Sequence, residues 1–218
     1  AAQETVPRDL AFNTDGSKMF VVGVVGDDVN EYALSTGFDI STASFTDAFS
    51  VSAQEITPSG LAFSTDGTKM FIVGFAGDEV NEYTLSTGFD VSTSTFVDAF
   101  SVAPQEANPK AIAFNNNGTK MFIVGSTGDD VNEYALSTGF DVSTASFTDS
   151  FSVSAQVSTP EGIAFNPDGS KMFIIGDTGS DLHEYSVGAS AIPSGYTPVH
   201  TTASIDSTYW TDINSMTA

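Results

Sequence analysis

Short apolar runs alternate with glycine-containing turns along most of the chain. In residues 60–73, an apolar segment at 60–63 precedes Asp66-Gly67, and a second apolar segment follows at 69–73. Glycine accepts the positive φ of a tight turn, so Asp-Gly between two apolar runs is typical of a β-hairpin. The pattern therefore predicts two antiparallel strands joined by a short turn.

Two further strands follow this hairpin. Residues 80–85 are rich in β-forming side chains and predict a third strand after a glycine-rich loop. Residues 95–102 alternate between apolar and polar positions and predict a fourth strand. Strict alternation would place four side chains of that strand on one face: Phe96, Asp98, Phe100 and Val102.

This four-strand pattern repeats every 51 residues. The segment Leu10–Phe20 returns as Leu61–Phe71, as Ile112–Phe122 and as Ile163–Phe173. A fixed period indicates one supersecondary unit that is copied and stacked, so that neighbouring copies bury each other's apolar faces. Four strands per unit, a period near 50 and no helical periodicity predict an all-β fold, a β-propeller of four blades with four antiparallel strands each.

The last copy is irregular. Tyr209–Ala218 aligns with Ser44–Ala53, with Trp210 in the place of Phe45, and supplies the expected fourth strand. An insertion of 12 residues within 188–202 precedes it. We expect a single domain over residues 1–218, with repeats at 10–60, 61–111, 112–162 and 163–218.

Each blade begins with its inner strand and ends with its outer one, so no strand is left to cross the ring as a clasp. The first and last blades must then meet through side chains alone. Three arrangements are open: a single ring of four blades, two chains that complete a ring as a dimer, or a longer array of which this chain is a piece.

The repeat resembles a known family. Residues 160–175, PEGIAFNPDGSKMFII, and the VNEYxLSTG segment of the earlier copies are similar to the YVTN-type and NHL-like propeller repeats. The unit here is longer than the YVTN repeat, and the Gly-His and Trp-Asp marks of WD40 repeats are missing. The resemblance implies the propeller fold and leaves the activity open, since one fold hosts many functions.

Charge narrows the classes of partner. The net charge is −22, with 28 acidic and six basic residues. Such a protein repels nucleic-acid phosphates and anionic lipid. No apolar run reaches the 18 or more residues of a membrane span, and cysteine is absent. We expect no nucleic-acid partner, no membrane span and a location outside the cell or on a cell or virion surface.

The copies differ mainly in two loops. The residue after the repeated proline varies, and so does the loop between the second and third strands, which in a propeller share the face near the axis. We predict ligand binding there, for a glycan or a protein, although drift among duplicated loops would give the same variation. The candidate residues are Arg8, Ser59, Lys110, Glu161, Phe75 and Asp177. Arg8 and Lys110, the only bases outside the turn lysines, would face each other across the axis.

Acidic residues repeat in the loop before each third strand. Carboxylates brought near one axis suit a hard cation, so calcium is the candidate cofactor, although acids in loops are more often solvated. The candidate metal ligands are Asp27, Asp28, Asp78, Glu79, Asp129, Asp130 and Asp181. The third-strand acids Glu31, Glu82, Glu133 and Glu184 are expected instead to pair with the turn lysines Lys18, Lys69, Lys120 and Lys171.

No catalytic motif is present. The two histidines, His183 and His200, both lie in the irregular fourth copy, and nothing matches a nucleophile elbow, a zinc helix or a P-loop. Near-identical copies favour a non-enzymatic binding or structural module, and we assign no catalytic residue. The alternative is a propeller enzyme of the lactonase or lyase type with a metal-dependent axial site.

Overall fold

The computed structural model describes residues 3–177 and 182–187. Over these residues the chain forms fifteen strands and three single-turn 3₁₀ helices. The strands are β1 Pro7–Phe12, β2 Lys18–Gly23, β3 Asp28–Leu34, β4 Ala43–Ser50, β5 Pro58–Phe63, β6 Lys69–Gly74, β7 Glu79–Leu85, β8 Ser94–Ser101, β9 Pro109–Phe114, β10 Lys120–Gly125, β11 Asp130–Leu136, β12 Ala145–Ser152, β13 Pro160–Phe165, β14 Lys171–Gly176 and β15 Leu182–Ser186. The 3₁₀ helices are Ile40–Thr42, Val91–Thr93 and Val142–Thr144.

The strands form four antiparallel meanders in chain order. Three sheets have four strands, β1 to β4, β5 to β8 and β9 to β12, and the described part of the fourth has three, β13 to β15. The predicted fold class, an all-β propeller of four blades, is confirmed. The predicted last strand at 209–218, with Trp210, and the insertion within 188–202 lie outside the described residues. No helix in the described part of the chain is long and apolar enough to cross a membrane.

The chain divides into two compact units, Ala1–Pro109 and Lys110–Ala218. The first carries blades 1 and 2, and the second carries blades 3 and 4. The expectation of one domain over residues 1–218 stays a prediction.

The hairpin turns have the geometry that the Asp-Gly pairs predict. Gly16 has a φ of +71°, and a Cβ added there would lie 2.4 Å from the Phe38 ring. Both the backbone conformation and the lack of space therefore require glycine. The Asp15 carboxylate accepts hydrogen bonds from the Ser17 N–H at 2.9 Å and from its hydroxyl at 2.6 Å. These bonds lower the pKa of Asp15. In blade 3 the amide of Asn117 accepts the same bond, so the turn needs an oxygen acceptor and not an acid.

A β-bulge corrects the predicted alternation of the fourth strand. In the pairing of β7 with β8 the register shifts between Glu82 and Tyr83, so Phe96 lies opposite Tyr83 while Phe100 lies opposite Val80. Positions 80 and 83 point to opposite faces of a strand, and directly paired residues share a face. Phe96 and Phe100 therefore lie on opposite faces, and the prediction of one shared face is wrong.

Blades 1 and 2 pack face to face. One face of blade 1, which we call the forward face, carries Phe20, Val22 and Val29. All three side chains are fully buried. They join a cluster with the backward face of blade 2, the face that carries Leu61, Met70 and Ile72. Burial of side chains of this size stabilises the fold by about 1.5–3 kcal/mol each. The Phe89 ring also lies at this junction, 6.2 Å from that of Phe20.

A polar contact at the edge of this junction fixes how the two blades meet. Lys18 Nζ lies 2.7 Å from Glu31 Oε1, and it also donates to the Phe89 carbonyl at 2.6 Å. The other oxygen, Glu31 Oε2, accepts the Val91 N–H at 3.0 Å. This arrangement, which we call the clamp, holds the 3₁₀ helix of blade 2 against β3 of blade 1.

The same lysine and glutamate pair in the other blades, as predicted. Lys69 pairs with Glu82 and Lys120 pairs with Glu133, each at 2.7 Å, and Lys171 pairs with Glu184. The partners are thirteen positions apart in sequence and lie on adjacent strands. The pairing is therefore a repeated structural feature of the unit.

Blades 3 and 4 pack in the same way within the second unit. Phe122 and Val124 of blade 3 join a buried cluster with Met172 and Ile174 of blade 4. The Phe122 ring lies 4.7 Å from that of Phe165, much as Phe20 lies 4.6 Å from Phe63 in the first unit. Forward and backward faces thus have the same chemistry at both junctions.

The clamp predicts that removing Glu31 lowers the unfolding free energy much more than removing Glu161. Glu31 is 3% exposed, and its loss in Glu31→Ala leaves the Val91 N–H buried without an acceptor, so we expect a loss of about 2–3 kcal/mol of unfolding free energy. Glu161, which pairs with Lys110 at 3.7 Å and is 37% exposed, serves as the control, and Glu161→Ala should cost less than about 1 kcal/mol. Urea unfolding at one protein concentration measures both. Equal losses would show that the clamp does not stabilise the junction.

The partly buried carboxyl group of Asp9 makes the unfolding free energy depend on pH. It stands where the other copies have Gly60, Ala111 and Gly162, and its Oδ2 accepts the Leu61 N–H at 2.8 Å. Burial raises the pKa of Asp9 above its usual 3.8, although the hydrogen bonds from Leu61 and Leu10 oppose the shift.

The folded protein therefore holds this proton more tightly than the unfolded chain. The contribution of Asp9 to the unfolding free energy falls as the pH rises from about 3.8 through the raised pKa. Asp9→Asn keeps an oxygen acceptor for Leu61 and removes the charge. We expect it to raise the melting temperature at pH 7 and to leave it unchanged at pH 3. A variant that melts lower than the wild type at pH 7 would contradict this account.

Candidate functional site

Two loops of each blade meet at one end of its sheet, which we call the loop end. The segment before the first strand pairs with the loop after the second strand through single backbone hydrogen bonds. Phe75 N donates to Thr57 O at 3.3 Å in blade 2, and Asp177 N donates to Thr159 O at 3.1 Å in blade 4. The expected meeting of these two variable loops is therefore observed within individual blades.

A buried glutamate holds the two loops of blade 2 together. Glu55 is 0% exposed, and its Oε1 accepts hydrogen bonds from Thr57 N at 2.7 Å and from Ala76 N at 3.1 Å. Its Oε2 accepts the Gly77 N–H at 3.3 Å. A Cβ at Gly74 would lie 2.4 Å from this carboxyl group, so the strand end must be glycine. The carboxylate thus sets the path of the whole loop.

The equivalent glutamates act alike in their own blades. Glu4 accepts the Val6 N–H at 2.6 Å and the Val25 N–H at 3.3 Å. Glu106 is 0% exposed and accepts the Asn108 N–H at 2.8 Å. The fourth copy has Val157 at this position, also 0% exposed.

Our sequence reasoning missed these glutamates. Glu4, Glu55 and Glu106 each follow a glutamine and stand three positions before the repeated proline. The usable signal was their exact 51-residue spacing together with the change to Val157, because valine in place of an acid indicates a buried position.

Two aspartates of the first unit lie within electrostatic reach of Glu55. Burial raises the pKa of Asp27, and the charges of Asp28, Glu55 and Glu4 raise it further. Burial also raises the pKa of Asp78, followed by the charges of Glu55 and Glu106. We call Asp27, Glu55 and Asp78 the acidic cluster.

The backbone of both aspartates is in the left-handed region. Asp27 has a φ of 53° and Asp78 a φ of 51°, a conformation that costs energy in residues other than glycine. Their carbonyls accept the Val51 N–H at 2.8 Å and the Val102 N–H at 2.9 Å, which holds each loop against the end of the fourth strand. Asp78 Oδ1 is buried, and in the part of the chain that the structure describes it has no hydrogen-bond partner.

The structure locates the predicted ligand-binding residues at the loop ends, with different surroundings. Arg8 is exposed at the start of β1, and no ion pair or hydrogen bond joins its side chain to another described residue. The Ser59 hydroxyl donates to the Pro109 carbonyl at 2.8 Å, so it links backbone segments. Phe75 is 58% exposed in the β6 to β7 loop.

The structure brings two predicted residues together in the second unit. Lys110 Nζ lies 3.7 Å from Glu161 Oε1, and both side chains are partly exposed. Asp177 is exposed at the end of β14. None of these contacts shows a bound ligand, so the ligand-binding role of the six residues stays a prediction.

The metal prediction is likewise open. Among residues 3–177 and 182–187, no three His, Cys, Asp or Glu side chains form a group that would hold a metal ion. Asp181 lies outside the described residues. Calcium binding by the acidic loops stays a prediction, as does the expected extracellular location.

Solved propeller structures are similar to this chain in fold. A candidate 6-phosphogluconolactonase from Bacteroides fragilis superimposes with a TM-score of 0.59 at 13% identity, over 84% of this chain and 51% of the other. Another from Bacteroides uniformis gives 0.57 at 16% identity, over 87% and 56%. The periplasmic gluconolactonase of Pseudomonas aeruginosa gives 0.55 at 16% identity, over 88% and 52%.

These comparisons support the propeller fold and leave the finer family open. No protein-family model and no curated protein matches the sequence. The resemblance to YVTN-type and NHL-like repeats therefore stays a prediction. The chain spans about half the length of the propellers that it matches.

The comparisons contradict the prediction of a non-enzymatic binding or structural module. All three of these neighbours carry the names of lactonases, which favours the enzyme alternative. The prediction was wrong because it relied on the near-identity of the copies. That near-identity concerns the strands and turns, whereas the loop ends differ from copy to copy.

The hydrogen bonds to Glu55 should slow hydrogen exchange at the amides of its loop. Glu55→Gln keeps one oxygen and replaces the other with an amide donor that faces the Gly77 N–H. Hydrogen bonds to charged groups contribute about 1.5–3 kcal/mol, so we expect hydrogen exchange at Ala76 and Gly77 to accelerate about ten-fold or more. Glu79→Gln, at the first residue of β7 and partly exposed, should leave both rates unchanged. NMR-detected exchange measures this, and unchanged protection in Glu55→Gln would contradict the assigned role.

Proposed function

We propose that this protein is a lactonase-type propeller hydrolase that opens the ring of a sugar lactone. The observation that carries the proposal is the loop of blade 2, in which the fully buried Glu55 accepts the Ala76 and Gly77 N–H groups and the next residue, Asp78, has a buried Oδ1 with no hydrogen-bond partner among the described residues. Burial and neighbouring charges also raise the pKa of Asp27 and of Asp78. The lactonase names of the structural neighbours support the same reaction class.

Lactone hydrolysis needs a base that takes a proton from water. The oxygen of that water forms a bond to the ring carbonyl carbon, the bond from that carbon to the ring oxygen breaks, and the ring oxygen takes up a proton. A carboxylate with a raised pKa is a stronger base than an ordinary one. Asp78 suits this role because its buried Oδ1 has no hydrogen-bond partner among the described residues.

Glu55 would act as a positioning residue. It is fully buried, and its oxygens are occupied by backbone N–H groups of its own blade. Its charge raises the pKa of Asp27 and of Asp78, and its hydrogen bonds hold the loop that carries Asp78. Perturbed carboxyl groups of this kind cluster at functional sites.

Charge favours an uncharged lactone as substrate. The chain carries a net charge of −22, so a phosphorylated lactone is repelled as it approaches. Arg8, exposed at the loop end of blade 1, is the described cation best placed to bind polar groups of the sugar. We therefore propose a neutral aldonolactone.

A single substitution tests the base. Asp78→Asn should reduce kcat/KM for D-glucono-1,5-lactone by about 10²-fold or more, the usual contribution of a general base. Asp98→Asn, which changes an exposed acid on β8, is the matched control and should leave the rate unchanged. Since the base must be ionised, wild-type activity should fall as the pH drops through the raised pKa of Asp78. A pH-stat assay corrected for spontaneous hydrolysis measures each rate.

Calcium and the choice of substrate are further arms of that assay. Activity that appears only with calcium would support the predicted cation site, and faster hydrolysis of the phosphorylated lactone would contradict the charge argument. Rates equal to spontaneous hydrolysis for both lactones, with and without calcium, would overturn the proposed function.

A further inference from the structure

Blades 1 and 4 each have an exposed apolar face, and faces of the same kind are buried where blade 1 packs on blade 2 and where blade 3 packs on blade 4. Leu10 of blade 1 is 56% exposed, whereas Leu61, its equivalent on the backward face of blade 2, is 4% exposed. Ile40 is 67% exposed, and its equivalent Val91 is fully buried. The backward face of blade 1 therefore has the composition of a junction and lacks a covering sheet.

The forward face of blade 4 shows the same difference. Ile175 is 52% exposed and Leu182 is 38% exposed, while their equivalents in blade 1, Val22 and Val29, are fully buried against blade 2. Sheet faces of this composition are covered in stable monomers, and exposed ones mark interaction sites.

The polar parts of a clamp are also present on these two faces. Lys171 and Glu184 of blade 4 pair with each other, and their side chains are 45% and 23% exposed, compared with 30% and 3% for Lys18 and Glu31. On blade 1, the Ile40 N–H has the position in the repeat that the Val91 N–H has in blade 2. In the described part of the chain, Ile40 N–H has no hydrogen-bond partner.

We propose that a second copy of this chain covers these faces, so that the forward face of blade 4 in each copy packs against the backward face of blade 1 in the other. Glu184 of one copy would accept the Ile40 N–H of the other, as Glu31 accepts the Val91 N–H within one chain. Two such contacts related by a two-fold axis close the assembly as a dimer.

The complementarity of the two faces supports this occupant. The established junctions supply the contact geometry, because forward and backward faces already pack against each other within each unit. Such a dimer would form whether or not the protein hydrolyses lactones.

Charge predicts how the dimer responds to salt. Each copy carries −22, so two copies repel each other at low ionic strength. Salt screens that repulsion, with a Debye length of about 10 Å at 0.1 M and about 3 Å at 1 M. The apolar contact is retained in salt, so dimerisation should strengthen between 0.05 and about 0.5 M sodium chloride.

Sedimentation velocity on the full chain tests the proposal. The wild type should sediment with twice the 22.8 kDa mass of one chain. Ile40→Lys and Leu182→Lys should each raise the dissociation constant about ten-fold or more, since each buries a charge in the interface. Ile56→Lys, at a residue that is 60% exposed and lies on neither face, is the control and should dimerise like the wild type. Circular dichroism and the melting temperature verify that each variant is folded.

Mixing the two damaged variants tests the head-to-tail pairing. A mixture of Ile40→Lys with Leu182→Lys can form one interface in which both faces are intact, so it should recover part of the dimer that each variant alone has lost. Pairing of like faces would give no such recovery.

Three results would overturn the proposal. They are a wild type that remains monomeric at every salt concentration, a wild type that forms open-ended polymers, and folded variants at Ile40 and Leu182 that dimerise as tightly as the control. A monomeric wild type would indicate that the faces are covered within one chain.

Discussion

The structure depends on one constraint, that a blade of this repeat has two apolar faces and buries neither of them alone. Phe20 and Val22 on one side and Met70 and Ile72 on the other become buried only when two blades pack together. Stability therefore arises at the junctions more than within the sheets, as in other repeat proteins. The near-identical strands and turns of the copies follow from this, because the same two kinds of face pack at the junction within each unit.

Apolar packing alone does not determine how two similar faces align, and the clamp supplies that specificity. Glu31 is almost fully buried, so its charge has a desolvation cost that Lys18 at 2.7 Å and the Val91 N–H at 3.0 Å offset. A buried ion pair of this kind contributes little net stability compared with apolar contacts. Its directional bonds nevertheless require that one particular turn of blade 2 meets β3 of blade 1.

The fold was predictable because turn chemistry and period agree along the chain. Asp15-Gly16 and its equivalents specify the hairpins, and the spacing of the turn lysines and third-strand glutamates indicated their pairing. The bulge opposite Tyr83 was not predictable, since strict alternation assumes an unbroken register. The buried role of Glu55 was hidden as well, because a glutamate in a polar loop has the pattern of a solvated acid until its backbone partners at Ala76 and Gly77 are seen.

The acids of this chain fall into two physical classes, and that division is what distinguishes the loop ends from the turns. Hydrogen bonds from Ser17 lower the pKa of Asp15, so its charge is stabilised, and Asn117 replaces an acid at the same position without loss of the turn. Burial and neighbouring charges instead raise the pKa of Asp27 and Asp78. A carboxylate that stays charged despite burial and neighbouring negative charges lowers the stability of the fold. A general base, however, must be charged in order to accept a proton. The fourth copy, which has Val157 where the others have glutamate, lacks the carboxylate around which the cluster of the first unit is built. The repeat therefore supplies a uniform scaffold, and the exceptions at its loop ends give one region a distinct chemistry.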